Sequence, residues 1–460
     1  MLNKLGLSAL SALFSVSLAS ASGINFDGKD MDLKSELSAI ETPAASPSQG
    51  KGLGHWLEGQ YQALLNKNAK EWTIMVFING KNDLEPYASL DMNEMERVGS
   101  TDKINIVVEA GRIDGYDDSN GDWKGTRRYL IEKDTDTETV GSKMLEDMGK
   151  VDMGDYKSLA AFGKWAKAAY PAKKYMLIVW NHGSGWEKGA KARLNKGISY
   201  DEETDNHINT PQLGLALKEI GKVDVYGSDA CLMQMPEVDY EIKNNVDYIV
   251  GSEETEPGDG YTYNDFLAPV AAKPQMSPAE LARTAVDAYS DHYQKQGTGS
   301  TQSFVRSSAL PELVEKVNAW VDAVMAAGLK TEVEAARSSA MSYAIPDNKD
   351  LYNFVSLVSG KTQDAAVKEK SAALTDFIAK DLVMHNRFNS KAASPDDGGD
   401  YSPDDYMPRG RAQRRGEKDY SESHGIAVYL PGYEVGAGYN ELAWASASKW
   451  DEFISWYMAK

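Results

Sequence analysis

The chain has 460 residues, 42% of them hydrophobic, which is enough to bury a large core and more than one packed unit. Its 49 basic and 69 acidic side chains leave a formal net charge of −20. Nucleic acids and anionic lipids bind basic surfaces, so this charge argues against both as main partners. The single cysteine, Cys231, excludes an intramolecular disulfide, and the fold must therefore depend on its core.

The first 21 residues have the pattern of an export signal. Lys4 supplies a positive start, an apolar stretch interrupted by serines follows, and Ala19-Ser20-Ala21 forms a small-residue cleavage site. The apolar part is too short to anchor the chain in a bilayer, and no later run is long enough to do so. The sequence therefore predicts an exported protein, secreted or periplasmic, without a membrane span. Residues 22 to 70 are polar and irregular and predict a linker or pro-region.

Between residues 71 and 275 apolar strands alternate with amphipathic helices. The predicted strands cover Trp72 to Ile78, Ile104 to Ala110, Tyr175 to Trp180, Val223 to Ser228 and Asp247 to Gly251. The predicted helices cover about Glu85 to Val98, a segment capped by Asp155, Pro211 to Ile220 and Pro236 to Asn244. This alternation predicts an α/β core in which helices flank both faces of a mainly parallel sheet.

Residues 276 to 460 predict a helix-rich C-terminal region. Ser277 to Glu280 form a capping box with a proline at the first helical position, and a second helix is expected from Leu310 to Ala327. The segment from Ser390 to Lys418 is rich in Asp, Gly, Pro, Ser and Arg and predicts an exposed loop. Gly425 to Pro431 is an apolar run, and we expect it to return a strand to the same sheet.

Two chemically important residues follow neighbouring predicted strands. His182 comes directly after the strand that ends at Trp180, and Cys231 follows the strand that ends at Ser228. Ligands of open α/β sheets bind at the carboxyl ends of the strands, so the thiol and the imidazole are expected side by side. They are 49 residues apart, which is the spacing of the caspase architecture. The alternatives are a histidine held in a glycine-rich turn and a buried cysteine that acts as a small hydrophobic residue.

The chain resembles the clostripain-like cysteine peptidases in five ordered segments between about Trp72 and Tyr263. These segments are WTIMVFINGKNDLE, LIVWNHGSGW, ISYDEETDNHINTPQLGLAL, VYGSDACLMQMPEV and GSEETEPGDGYTY. The resemblance implies a caspase-like catalytic core over residues 71 to 275, with a Cys/His dyad in which Cys231 is the nucleophile and His182 its partner. The imidazole would take the thiol proton and return a proton to the leaving amine. The backbone N–H groups of Gly183 and Cys231 are the candidate oxyanion donors.

Two carboxylates match positions that the family uses for substrate specificity. Asp229 precedes the nucleophile by two residues, and Asp259 lies in the segment EPGDGY. A carboxylate in a confined pocket selects Arg or Lys in the P1 position of a peptide substrate. The alternatives are a turn or helix cap for Asp229 and a turn residue for Asp259.

Members of the family are often matured by cutting themselves between the histidine and the cysteine. The corresponding segment here contains Arg193 and Lys196, which are the candidate autocleavage sites. No cofactor is required for the expected chemistry, but the family's calcium dependence leaves calcium open. The segment DGYDDSNGDW has the carboxylate density of a calcium site without the ligand spacing of an EF-hand.

The sequence thus predicts a secreted cysteine endopeptidase that cuts after Arg or Lys in peptides and proteins. One alternative is a caspase-fold peptidase with another P1 preference, which would follow if Asp229 only capped a helix. The other alternative is an exported binding protein without catalytic activity.

Overall fold

The computed structural model describes residues 69–186, 197–391 and 418–459. The strands within these ranges are β1 (Lys70–Gly80), β2 (Ile104–Arg112), β3 (Gly125–Leu130), β4 (Lys143–Gly149), β5 (Ala172–Trp180), β6 (Ile198–Asp201), β7 (Asn206–Ile208), β8 (Val223–Asp229), β9 (Val246–Gly251), β10 (Ser300–Arg306), β11 (Asn348–Asp350), β12 (Val383–Asn389) and β13 (Ala427–Tyr429).

The α-helices within the same ranges are α1 (Glu85–Glu96), α2 (Tyr156–Ala169), α3 (Thr210–Ile220), α4 (Pro236–Ile242), α5 (Tyr263–Ala272), α6 (Pro278–Gln296), α7 (Leu310–Ala326), α8 (Lys330–Ser339), α9 (Leu351–Lys361), α10 (Ala365–Phe377), α11 (Ala443–Ala447) and α12 (Trp450–Met458). Their starts follow the capping signals in the sequence. Asp155 accepts a hydrogen bond from the Lys157 N–H, and Ser277 forms the expected capping box with Glu280.

One sheet of nine strands forms the centre of the described residues, in the order β12-β10-β9-β8-β5-β1-β2-β3-β4. The five strands from β9 to β2 are parallel, and the strands at both edges pair antiparallel. Parallel strands need a crossover connection, and the helices between them supply it. The predicted mainly parallel α/β sheet is therefore confirmed.

Both faces of the sheet are buried, as alternate residues of β1 illustrate. Met75 and Phe77 belong to one apolar cluster, whereas Ile74, Val76 and Ile78 belong to a second cluster on the opposite face. Helices α2, α3, α4 and α7 contribute to the first cluster, and α1, α5 and α6 contribute to the second. A central strand that is buried on both faces reads as a continuous apolar run, which is why the sequence revealed it.

The expectation that Gly425 to Pro431 returns a strand to the main sheet is wrong, because this strand pairs elsewhere. Ala427–Tyr429 forms β13, which pairs with β11 in a separate two-stranded sheet. The strands that the C-terminal half adds to the main sheet are β10 and β12. Both carry many polar residues, so the apolar pattern did not reveal them. The C-terminal half therefore contributes to the main sheet through β10 and β12. The division near residue 275 stays a prediction from sequence.

No helix within the described ranges is long and apolar enough to cross a membrane. The predicted signal segment, residues 1 to 21, and most of the linker lie outside the described residues.

Candidate active site

The register of β5 and β8 brings the predicted catalytic residues to one edge of the sheet. Trp180 pairs with Asp229, and the Asn181 N–H donates to the Asp229 carbonyl oxygen at 3.1 Å. His182 and Cys231 follow these positions by two residues on each chain segment. Both residues therefore leave the sheet at the carboxyl ends of adjacent parallel strands, where ligands of such sheets bind.

Gly183 is where the two loops touch. A Cβ atom added to Gly183 would lie 2.4 Å from the Cys231 carbonyl oxygen and 3.1 Å from the Cys231 nitrogen. Any side chain would therefore push the loops apart, and glycine allows the backbones to approach directly. This contact explains the glycine that follows His182 in the sequence.

The loop that carries His182 is held at both sides. The Asn181 side chain donates to the Asn79 carbonyl oxygen and accepts from the Tyr200 N–H at 2.8 Å. Further along, the Ser184 N–H donates to the Gly197 carbonyl oxygen at 3.0 Å, and the Gly197 N–H donates back to the Ser184 hydroxyl at 2.9 Å. These bonds join the two described ends on either side of residues 187–196.

His182 has a carboxylate partner that the sequence did not reveal. Its Nε2 lies 2.8 Å from Asp83 Oδ1, and this hydrogen bond lowers the pKa of the Asp83 carboxyl group. Asp83 follows β1, which pairs with β5, so it comes to the same edge of the sheet. A signal was present, because Asp83 ends the turn after a buried strand. The His182 and Asp83 side chains are 29% and 51% exposed, so water weakens their interaction.

The Cys231 thiol is half-buried and interacts with the loop after β9. Its Sγ accepts a hydrogen bond from the Glu256 N–H at 3.2 Å. Burial raises the pKa of the Cys231 thiol to about 12, and the Glu256 carboxyl group adds to this rise. The next residue, Leu232, has a φ of 65°, a left-handed conformation that is strained for leucine. The thiol is thus held neutral on a strained turn at the strand end.

Asp229 is buried, and both of its carboxyl oxygens have donors. Oδ1 accepts from the Tyr261 N–H at 3.1 Å, and Oδ2 accepts from the Tyr263 hydroxyl at 2.7 Å. Burial raises the pKa of Asp229 to about 6. The following helix α4 has Met235 at its N-cap and no side-chain cap. The alternative reading of Asp229 as a helix cap is therefore wrong.

Asp259 lies in the same loop as Tyr261 but is half-exposed, and Gln296 donates to it at 3.4 Å. The residue after it, Gly260, packs on Asp229, since a Cβ atom there would lie 2.7 Å from the Asp229 Oδ1 atom. The two predicted specificity residues are thus neighbours at one site.

Two further acidic residues near Asp229 were missed in the sequence. Asp91 of α1 is buried and accepts a hydrogen bond from the Trp180 indole N–H at 2.6 Å. Glu256 is also buried, and its carboxyl group faces that of Asp229. Burial is the main cause that raises the pKa of each, followed by the charge of Asp229. Their polarity gave no signal, because helix and loop acids are usually exposed.

The segment DGYDDSNGDW uses carboxylates to bind cationic side chains of the protein. Arg112 pairs with Asp117 at 3.1 Å, and Lys124 pairs with Asp114 at 3.0 Å. In the part of the chain that is described, no group of three or more His, Cys, Asp or Glu residues is arranged to hold a metal ion. The candidate processing residues Arg193 and Lys196 lie outside the described residues.

Comparison with known proteins agrees with this arrangement of strands. The family model of the clostripain family, peptidase family C11, matches residues 76–456. The chain belongs to the clostripain family of cysteine peptidases. Clostripain of Hathewaya histolytica is 29% identical over 229 residues, which are 45% of this chain and 43% of that protein. The chain therefore spans less than half the length of this curated relative. Clostripain-family peptidases need no cofactor for the chemical step.

Solved structures support the same fold. A secreted C11 cysteine protease from Bacteroides thetaiotaomicron, solved with an irreversible peptide inhibitor, matches with a TM-score of 0.61 at 22% identity, over 83% of this chain and 99% of that one. An inactive zymogen C11 protease from Parabacteroides distasonis matches with a TM-score of 0.59 at 18% identity, over 82% and 98% of the two chains. The predicted caspase-like α/β fold of the clostripain family is thereby confirmed.

Proposed function

We propose that the protein is an exported endopeptidase that hydrolyses peptide bonds after Arg or Lys, with Cys231 as nucleophile and His182 as general base and acid. The observation that carries this proposal is the position of Cys231. It follows the buried Asp229 by two residues and contacts the loop of His182 through Gly183. A nucleophile, a base and a buried carboxylate therefore meet at one edge of the sheet.

The first step is attack by the Cys231 sulfur on the carbonyl carbon of the substrate. Because the pKa of the thiol is raised to about 12, the free protein holds the thiol in its neutral form. His182 then has to remove the proton as the sulfur attacks, and the same proton is given to the leaving amine. Water hydrolyses the resulting thioester, with His182 again acting as base.

Asp83 supports this role of His182. When the ring donates Nε2–H to Asp83, the lone pair of Nδ1 is free to accept the thiol proton. The carboxylate also stabilises the imidazolium that forms during the reaction. We regard Asp83 as a positioning residue, since it acts through His182.

The backbone at Gly183 and Cys231 supports their role as oxyanion donors. The loops are in direct contact here, so the two N–H groups lie on adjoining backbone segments. Donors that are fixed before the reaction stabilise the negative oxygen without any cost of reorganisation.

Asp229 supports selection of a basic P1 side chain. Its two hydrogen bonds fix the carboxyl group, and burial strengthens any interaction with a cation that enters. Arg and Lys can both pair with it, and Arg gains more when the contact is bidentate. The half-exposed Asp259 adds negative charge beside Asp229.

We further propose self-processing at Lys196 or Arg193 and export through the N-terminal segment. The bonds between Ser184 and Gly197 and the pairing of β5 with β8 in one sheet would keep the two fragments together after a cut. The similar Parabacteroides protein was solved as an inactive zymogen and the similar Bacteroides protein is a secreted protease, and these relatives support both proposals for this chain.

A panel of fluorogenic peptides with Arg, Lys, Asp or Leu at P1 tests the proposal. Release of fluorescence only from the Arg and Lys peptides is the expected result. Efficient hydrolysis of the Asp or Leu peptide instead would replace the basic preference with another. Absence of hydrolysis of all four by the processed protein would favour a non-catalytic binding protein.

A further inference from the structure

Glu256 occupies a position between the nucleophile and the specificity carboxylate. Its backbone N–H donates to Cys231 Sγ at 3.2 Å, while its side chain is buried. One carboxyl oxygen accepts from the Gln302 amide at 3.4 Å, and the other has no hydrogen-bond donor among the described residues. An unpaired oxygen on a buried carboxyl group is costly unless it faces a proton or a cation.

The Glu256 carboxyl group interacts with that of Asp229 through a side-chain hydrogen bond. Two adjacent buried carboxyl groups do not both ionise, because like charges repel strongly when water is excluded, and one proton is then shared between them. The other titratable groups that interact with a member of the pair are an acid, phenols and the Cys231 thiol, namely Asp91 of α1, Cys231, Tyr261, Tyr263 at the start of α5, and Tyr289 and Tyr293 of α6.

None of these groups can carry a positive charge. The surroundings of the carboxyl pair therefore favour both the shared proton and an incoming cation. Burial raises the pKa of Asp229 to about 6, and burial and the charge of Asp229 raise the pKa of Glu256 well above its usual value. The bond between the two carboxyl groups lowers the pKa of Asp229 and raises that of Glu256. Glu256 therefore keeps the shared proton at neutral pH, while Asp229 carries the negative charge.

We propose that Glu256 is a second specificity-determining residue of the P1 pocket: it forms with Asp229 a carboxyl pair that shares one proton, and either member can supply the negative charge that binds a P1 cation. This inference rests on the proposed function of the site and deepens it. It implies that loss of Asp229 alone does not remove the preference for a basic P1 residue, because Glu256 can ionise in its place.

The test compares Asp229→Asn with the double variant Asp229→Asn/Glu256→Gln. Both exchanges conserve side-chain volume and replace an ionisable carboxyl group by a neutral amide. The readout is the ratio of kcat/KM for two peptides that differ only at P1, one with arginine and one with its uncharged analogue citrulline, between pH 6 and 8.5. A ratio between substrates cancels the titration of the dyad and any general loss of activity.

In the Asp229→Asn variant we expect this ratio to rise with pH, by up to about tenfold per pH unit while Glu256 loses its proton. In the double variant the ratio should be independent of pH and, at pH 8.5, at least about tenfold lower. The matched control is Asp229→Asn/Glu253→Gln. Glu253 is a buried glutamate three residues earlier whose neighbour is Asp350, so this control should behave like Asp229→Asn alone.

Coincident ratios for Asp229→Asn and the double variant would overturn the role of Glu256, provided that the wild type prefers arginine over citrulline. A wild type without that preference would overturn the proposed P1 specificity and this inference together. If the double variant does not fold, Asp229→Asn gives the second measurement on its own. Its arginine-to-citrulline ratio should rise between pH 6 and 8.5, and a ratio that stays near one across this range would overturn the inference.

Discussion

Replacement of Gly183 by alanine tests the contact that joins the two halves of the proposed dyad. The new Cβ would lie 2.4 Å from the Cys231 carbonyl oxygen, whereas ordinary contact begins at 3.4 Å. The loops of His182 and Cys231 must therefore separate by about 1 Å, and a displacement of this size costs about 100-fold in rate. This loss corresponds to about 2.7 kcal/mol in the activation barrier. We expect kcat to fall by about this factor.

Overpacking should also lower the stability of the Gly183→Ala variant, by about 1–3 kcal/mol, partly offset by the loss of backbone freedom in the unfolded chain. The assay is kcat on an Arg peptide together with a thermal melt. The matched control is Gly360→Ala in α9, where an added Cβ meets nothing within 4 Å. That variant should keep full activity and melt at the same temperature or slightly higher. Wild-type kcat and an unchanged melt for Gly183→Ala would refute the reasoning.

Three other predictions concern specificity, the histidine and processing. At about pH 6, where Glu256 still holds its proton, Asp229→Asn should lower the preference for Arg over Leu at P1 by about 10- to 100-fold, because a charge-assisted bond is worth about 1.5–3 kcal/mol. An unchanged ratio of kcat/KM at this pH would move the role to Asp259. Asp83→Asn should lower kcat by up to about fivefold with KM unchanged, since the pair of Asp83 and His182 is exposed to water. The control Asp102→Asn, which changes an exposed acid beside Lys103, should leave kcat and KM unchanged. Equal effects of the two variants would argue against a role for Asp83. Purified wild type should separate on a denaturing gel into two fragments, with a new N-terminus at Gly197 or just after Arg193. The Cys231→Ala protein should stay a single chain after signal removal. A cut in the Cys231→Ala protein would mean that another protease makes the cut.

The sequence predicted those strands whose burial on both faces requires a continuous run of apolar residues. The central strands are apolar throughout because helices cover both faces, and His182 and Cys231 were found because polar residues end those strands. The strands β10 and β12 were not predicted, because they carry polar residues where an apolar run was expected. β10 reads Ser-Thr-Gln-Ser before its first apolar residue, yet these polar side chains are buried. The partner of Ala427–Tyr429 also depends on tertiary packing that an apolar run does not encode.

The site could be predicted only where neighbouring strands place residues together. Asp91 and Glu256 reach the site through a helix and a loop, and nothing in their local sequence separates them from ordinary surface acids. Asp83 did carry a signal, because it ends the turn after a buried strand. The ionisation state of the thiol was likewise hidden, because the rise in the pKa of Cys231 comes from burial and from the Glu256 carboxyl group. Slow alkylation of Cys231 at neutral pH is therefore expected even for an active peptidase, so alkylation does not separate a peptidase from a binding protein.

The central claim is that Cys231, activated by His182, hydrolyses peptides after basic residues. The most direct measurement is hydrolysis of one fluorogenic Arg peptide by wild type, Cys231→Ala and His182→Ala, each shown to be folded by its thermal melt. We predict activity in the wild type and no activity above background in either variant, because the members of a dyad act as a unit. A folded Cys231→Ala protein that hydrolyses the peptide at more than a trace of the wild-type rate would contradict the claim.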